Sequence, residues 1–126
     1  MSKEVISTNH APAAIGPYAQ AIKVGQTVYL SGQIPVDPKT NELVGEDFKA
    51  QTEQVFKNLS AVLQAAGMSL QNLVKITVYL TDFENFPLFN EIMSQYIKEP
   101  FPTRATVQIC QLPKGASVEI DGIASL

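Results

Sequence analysis

The sequence predicts an α+β domain with two helices packed on one face of a mixed sheet, and three observations lead there. Short stretches such as TVYLS and LVKITVYLT alternate apolar and polar residues, the period-two signature of strands with two unlike faces. Two longer stretches repeat their apolar residues every three and four positions, as an amphipathic helix does. The elements follow one another as β-β-α-β-α-β-β, with no internal repeat and no linker, so residues 1–126 form a single domain.

Taken in order, APAAIGPYAQAIKVGQTVYLSGQIP reads as a loop and then two strands turning at Gly25-Gln26. VDPKTNELVG is turn-rich, with Pro38 and Asn41 as breakers. From Asp47 onwards Phe48, Val55, Phe56, Leu59, Val62, Leu63 and Ala66 mark a helix that stops at Gly67. LVKITVYLT is a strand with Val74, Ile76, Val78 and Leu80 on one side. In the second helix, Asp82 or Asn85 supplies the cap and Pro87 fits the first turn. Phe89, Ile92, Met93, Tyr96 and Ile97 form its stripe, and Pro100 and Pro102 end it. The remaining residues are expected to form a hairpin around LPKG.

Composition removes several chemistries. Nine Lys and Arg against twelve Asp and Glu give a net charge of −3, and no basic run offers a footprint for a nucleic-acid backbone. One histidine, His10, and one cysteine, Cys110, do not make a metal site, and His10 lies too near the N-terminus to serve a catalytic triad. No phosphate-binding glycine loop is present. MSKEVISTNH lacks the apolar run of a signal peptide, and no stretch is long enough to span a membrane, so a cytoplasmic protein is expected. Catalysis, if any, falls to carboxylates, Tyr, Ser, Arg and backbone groups.

Strand parity singles out two charges. Arg104, Thr106, Gln108 and Cys110 share one face, and a hairpin centred on Pro113-Lys114 puts Glu119 and Asp121 on that same face. The apolar alternates Ala105, Val107, Ile109, Val118, Ile120 and Ala124 then face the helices. In that pairing Glu119 sits near Gln108, roughly 13 Å from Arg104 at ~3.3 Å per residue, too far for an ion pair within one chain. Two readings stay open: solvated charges on a wet face, or groups that find partners across a subunit boundary around a small anion. An arginine suits the second role because its planar fork binds a carboxylate through two bonds.

GPYAQA (Gly16 to Ala21) and SGQIP (Ser31 to Pro35) are, each alone, ordinary backbone punctuation. With NLVKITVYLTD, FPTRATV and LPKGASVEIDGIA, in that order and over nearly the whole chain, the sequence resembles the Rid family (YjgF-type), the small enamine/imine deaminases. The resemblance implies a chorismate-mutase-like fold assembled as a homotrimer, with ligand clefts between subunits. It implies hydrolysis of 2-imino acids such as 2-iminobutanoate and 2-iminopropanoate to 2-keto acids and ammonia, without cofactor or metal. Arg104 matches the family's carboxylate anchor, Glu119 the residue that positions or activates water, and Tyr18 a pocket-lining tyrosine. Ser31 and Gly32 match a further contact, and Asn90, in FNEI, an asparagine near the cleft. Many relatives have cysteine two residues after the arginine, where this chain has Thr106, so a mechanism needing a thiol is not expected. The rival reading is a trimer that binds 2-keto acids or amino-acid-like metabolites without turning them over.

Overall fold

A computed structural model describes residues 2–126. Its strands are β1 (Glu4–Ile6), β2 (Ala21–Val24), β3 (Thr27–Gln33), β4 (Val36–Asp37), β5 (Glu42–Leu43), β6 (Leu73–Leu80), β7 (Thr103–Gln108) and β8 (Val118–Ser125). The helices are α1 (Phe48–Ala65) and α2 (Phe86–Tyr96). Six strands form one sheet in the order β1-β2-β3-β8-β6-β7, antiparallel except for the β6–β7 pair, and β4 and β5 form a separate small hairpin. The α+β architecture with both helices on one sheet face is therefore the predicted one.

Both helices start and stop where local chemistry dictates. Asp47 accepts from the Ala50 amide at 3.0 Å, closing the first turn of α1. Gly67, at φ +76°, ends it: its amide donates to Gln64 and the next amide, Met68, to Leu63, a pairing that satisfies the last carbonyls. The stripe read from the sequence, Phe48 through Ala66, is buried throughout. Phe56 stacks on Tyr96 at 5.1 Å between centroids and meets Phe89 at 6.0 Å, joining the two helices. Polar Gln51, Thr52 and Asn58 are buried as well. Gln51 bonds Gly45 and Ser117 and Asn58 bonds Ile34 and Val36, so α1 holds the surrounding loops by their backbones.

Five points extend or correct these expectations. The sheet gains an edge strand, β1, and VDPKTNELVG contains the β4–β5 hairpin, with Asn41 at φ +61° in its turn. In β6 the register shifts between Leu73 and Lys75, so Leu73 rather than Val74 joins Ile76, Val78 and Leu80 in the core, and Val74 is exposed. Asp82 caps the short turn before α2, while Asn85 makes no capping bond. Most consequential, β7 and β8 are not a hairpin. β6 lies between them, parallel to β7 and antiparallel to β8, because the β6–α2–β7 crossover returns the chain alongside its starting strand.

Candidate active site

That last correction reassigns the two charges. Arg104 is opposite Ile76 and Thr106 opposite Val78, both core residues, so Arg104 and Thr106 are on the helix side at the sheet edge. Ala105 and Val107 face the other way, and Val107 is exposed. Glu119 is opposite Tyr79 and Asp121 opposite Thr77, on the face the helices leave open. Val118, Ile120 and Ala124 do face the helices as expected, whereas Ala105 and Val107 do not. The parity reading failed because it assumed the two strands were neighbours.

Arg104 belongs to a pocket built by α2. Its Nη1 donates to Asn90 Oδ1 at 2.8 Å and approaches Met93 Sδ at 3.6 Å. The guanidinium carbon lies 5.5 Å from the Phe86 ring centre and 5.9 Å from that of Phe89, cation–π distances that hold it against α2. Burial lowers its pKa from the ordinary arginine value, yet a guanidinium remains charged. Asn90 takes one of its N–H groups and leaves others free to bind an anion. These two residues, with Met93, Ser94, Phe101 and Pro102, line a cleft of about 430 Å³. Two positions along β7, Thr106 carries a buried hydroxyl oxygen with no protein hydrogen-bond partner.

Tyr18, Ser31, Gly32 and Glu119 assemble elsewhere. The β3–β8 register slips between Leu30 and Gln33, which places a bulge at Ser31-Gly32. Ser31 Oγ donates to the Ala19 carbonyl at 2.6 Å and its amide to Gln20, so the serine fastens the GPYAQA loop to β3. Tyr18 is half-exposed, and its hydroxyl accepts from the Ile15 amide at 3.3 Å. Tyr18 and Gly32 line a hollow of about 80 Å³ beside Lys114. Glu119 lies directly over Gly32: a β-carbon there would overlap its carboxylate and sit 2.9 Å from its Cδ. Partial burial, followed by the nearby Asp121 charge, raises the Glu119 pKa above the ordinary glutamate value.

Within one chain the two clusters do not meet. From the Arg104–Ile76 pair to the Tyr79–Glu119 pair is three residues along β6, and β6 itself separates β7 from β8. That is roughly 14 Å, with the side chains on opposite faces. Asn90, placed by resemblance alone, turns out to be the direct partner of Arg104. Several neighbours escaped the sequence reading. Met93 passed for plain core, the rings of Phe86 and Phe101 carried no distinguishing pattern, and Gln20 anchors the N-terminal loop through Thr8, Ala11 and Pro12. Among the described residues no cluster of His, Cys, Asp and Glu could hold a metal ion, and no helix is long and apolar enough to cross a membrane.

The chain is similar throughout to known proteins. Residues 8–126 match the family model described as Endoribonuclease L-PSP. A RutC family protein of Pyrococcus horikoshii is 50% identical over 97% of each chain. A human 2-iminobutanoate/2-iminopropanoate deaminase is 47% identical over 97% of this chain and 89% of its own. Among solved structures, RidA from an Antarctic Psychrobacter superposes with a TM-score of 0.94 at 52% identity, covering 98% of this chain and 99% of that one. TdcF of E. coli with bound serine gives 0.92 at 39% identity, covering 98% of both. The chain belongs to the Rid (YjgF, RutC, endoribonuclease L-PSP) family.

Proposed function

We propose that this protein hydrolyses reactive 2-imino acids, including 2-iminobutanoate and 2-iminopropanoate, to 2-keto acids and ammonia, and does so in the cytoplasm as a homotrimer without cofactor or metal. The observation that carries this reading is Arg104, a partly buried guanidinium braced by Asn90 and two aromatic rings, with free N–H groups at a cleft. Such a group binds a carboxylate. It is supported by the human relative named as a deaminase for these two imines.

The trimer supplies the missing proximity. The open sheet face carries Val5, Tyr29 and Val107, all exposed, alongside Ile22 and Ile123, an apolar surface that a second copy would cover. In this arrangement Arg104 of one copy faces the Tyr18, Gly32 and Glu119 cluster of the next. Arg104 grips the substrate carboxylate and Thr106 offers its unpartnered hydroxyl. Asn90 holds the arginine in place. Tyr18 and the Gly32 backbone close the far wall, and Ser31 keeps that wall attached to β3.

The chemistry then needs little else. Glu119, as carboxylate, takes a proton from a water whose oxygen attacks the protonated imine carbon. Glu119 returns that proton to the nitrogen of the tetrahedral adduct, the C–N bond breaks to release ammonia, and the adduct's hydroxyl gives up its proton to Glu119 or the departing ammonia as the carbonyl forms. Holding substrate and water together makes the attack effectively intramolecular. General-base help contributes on the order of 10²–10⁴-fold, enough for a reaction that also runs slowly in water.

A bound serine in TdcF favours a second reading, a metabolite-binding trimer without turnover. One experiment separates the two. A threonine dehydratase generates 2-iminobutanoate, semicarbazide traps what escapes, and release of 2-oxobutanoate is followed with wild type and Arg104→Ala. The deaminase reading expects wild type to deplete the trapped product and the variant not to. Binding of 2-oxobutanoate with no depletion would establish the sensor instead.

A further inference from the structure

The open face of the sheet holds a second acidic group beside Glu119, and the reading above assigns it nothing. Asp121 is two residues along β8, on the same face, at roughly 6.6 Å along the strand. It is not a loose surface charge. The Tyr79 hydroxyl donates to Asp121 Oδ2 at 2.9 Å, although the register puts Tyr79 opposite Glu119 rather than opposite Asp121. Tyr79 therefore reaches diagonally past one carboxylate to fix the other. Glu119 is confined in turn, because the bare backbone of Gly32 at the β3 bulge is what makes room for its carboxylate.

From this geometry we infer that Asp121 is a positioning residue for the reaction: fixed in place by Tyr79, it sets a second carboxylate beside Glu119 and so keeps Glu119 a stronger base than an isolated carboxylate. The inference rests on the role of Glu119 proposed above. A like charge at this spacing in a half-buried setting favours the protonated form of its neighbour, and a higher pKa means a more effective acceptor for the water proton. The Glu119 pKa is indeed raised, first by burial and then by Asp121, and that of Tyr79 is raised first by its bond to Asp121.

The other groups near Glu119 act alike in wild type and in an Asp121 variant, among them Tyr18 and Lys114 at the Gly32 hollow. Lys75 is exposed on β6, two residues from the partner of Asp121 and four from that of Glu119, so it lies well along the strand from Glu119. Tyr29 on β3 is opposite Ile123, and the β7 residues on this face, Ala105 and Val107, do not titrate. In the trimer, Arg104 of the adjacent copy draws the Glu119 pKa downwards, equally in wild type and in an Asp121 variant, so their difference isolates Asp121.

The test is the pH profile of kcat/KM for 2-iminobutanoate hydrolysis in wild type, Asp121→Asn and Tyr79→Phe, alongside a ¹³C NMR titration of the Glu119 carboxyl in each. Size-exclusion chromatography with light scattering confirms that each keeps the wild-type assembly. The inference expects the acid limb and the Glu119 titration to move together to lower pH in Asp121→Asn, and less far in Tyr79→Phe, with KM little changed. A Glu119 titration at the wild-type position in both variants overturns it. If the titration moves but the acid limb stays, the coupling exists and Glu119 is not the base, which overturns the proposed role of Glu119 instead. Should Asp121→Asn fail to assemble, Tyr79→Phe alone decides by the same two readouts.

Discussion

Gly32→Ala separates the chemistry from the fold more cleanly than removal of any charged residue. A β-carbon at this position would overlap the Glu119 carboxylate and lie 2.9 Å from its Cδ, so the side chain must retreat by about 1 Å to reach ordinary contact. What moves is the far end of a flexible side chain. An off-rotamer glutamate costs roughly 0.5–1.5 kcal/mol. Replacing Gly by Ala at a compatible backbone returns about 0.4–1 kcal/mol through the unfolded chain. Stability should thus stay within about 1 kcal/mol of wild type, a few degrees in Tm at most. Activity should not, since misplacing a reacting group by about 1 Å costs on the order of 10²-fold. The assay is kcat from the semicarbazide competition together with a thermal melt. Gly122→Ala is the counterpart, because its β-carbon would lie 2.9 Å from the Lys75 carbonyl oxygen, a backbone atom with nowhere to go. That change should cost about 1–3 kcal/mol of stability. A Gly32→Ala protein with normal Tm and kcat within about threefold of wild type would refute the claim that Glu119 acts from its seat over Gly32.

Other outcomes follow from the same geometry. Arg104→Ala removes a charge-assisted double contact worth about 1.5–3 kcal/mol, so kcat/KM should fall at least roughly 10- to 150-fold with the fold intact by circular dichroism. Asn90→Ala leaves the guanidinium in place but unbraced, and should raise KM by about tenfold or less, with smaller effect on kcat. Glu119→Gln should slow turnover while retaining 2-oxobutanoate binding by calorimetry. Its stability effect has a definite sign. A carboxyl whose folded pKa is raised stabilises the fold below its unfolded pKa, and that contribution is lost as pH rises through the folded pKa. Glutamine removes this loss, so Glu119→Gln should melt at or above wild type in neutral and alkaline buffer. A lower Tm there would mean that the ionised carboxylate has a favourable partner.

Much of this molecule was legible in its sequence because the signals were local. Asp47 and Gly67 bound α1 by capping chemistry, and the stripe between them needed only helical period. The two-strand turn at Gly25 was equally local. What failed was pairing between distant strands. β7 lies beside β6 and not β8, a choice made by the packing of α2 over the crossover, and one wrong neighbour turned Arg104 to the wrong face. The bulge in β6 exposed Val74 for a related reason, since alternation carries no mark of an extra residue. Of the site, Arg104 and Glu119 stood out as charges on strands. The bracing by Asn90 and the Tyr79–Asp121 bond did not, because nothing in spacing connects residues 14 and 42 apart.

The central structural claim is that Arg104 and Glu119 complete one cleft from two different copies of the chain. Mixing tests it directly. Arg104→Ala and Glu119→Gln subunits, each strongly impaired alone, would be unfolded together in equal amounts, refolded, and assayed for 2-iminobutanoate hydrolysis. Random assembly of a cyclic trimer pairs an intact Arg104 with an intact Glu119 in about a quarter of the clefts, so about a quarter of wild-type activity should return. Mixed trimers with no more activity than the two separate variants would contradict the account.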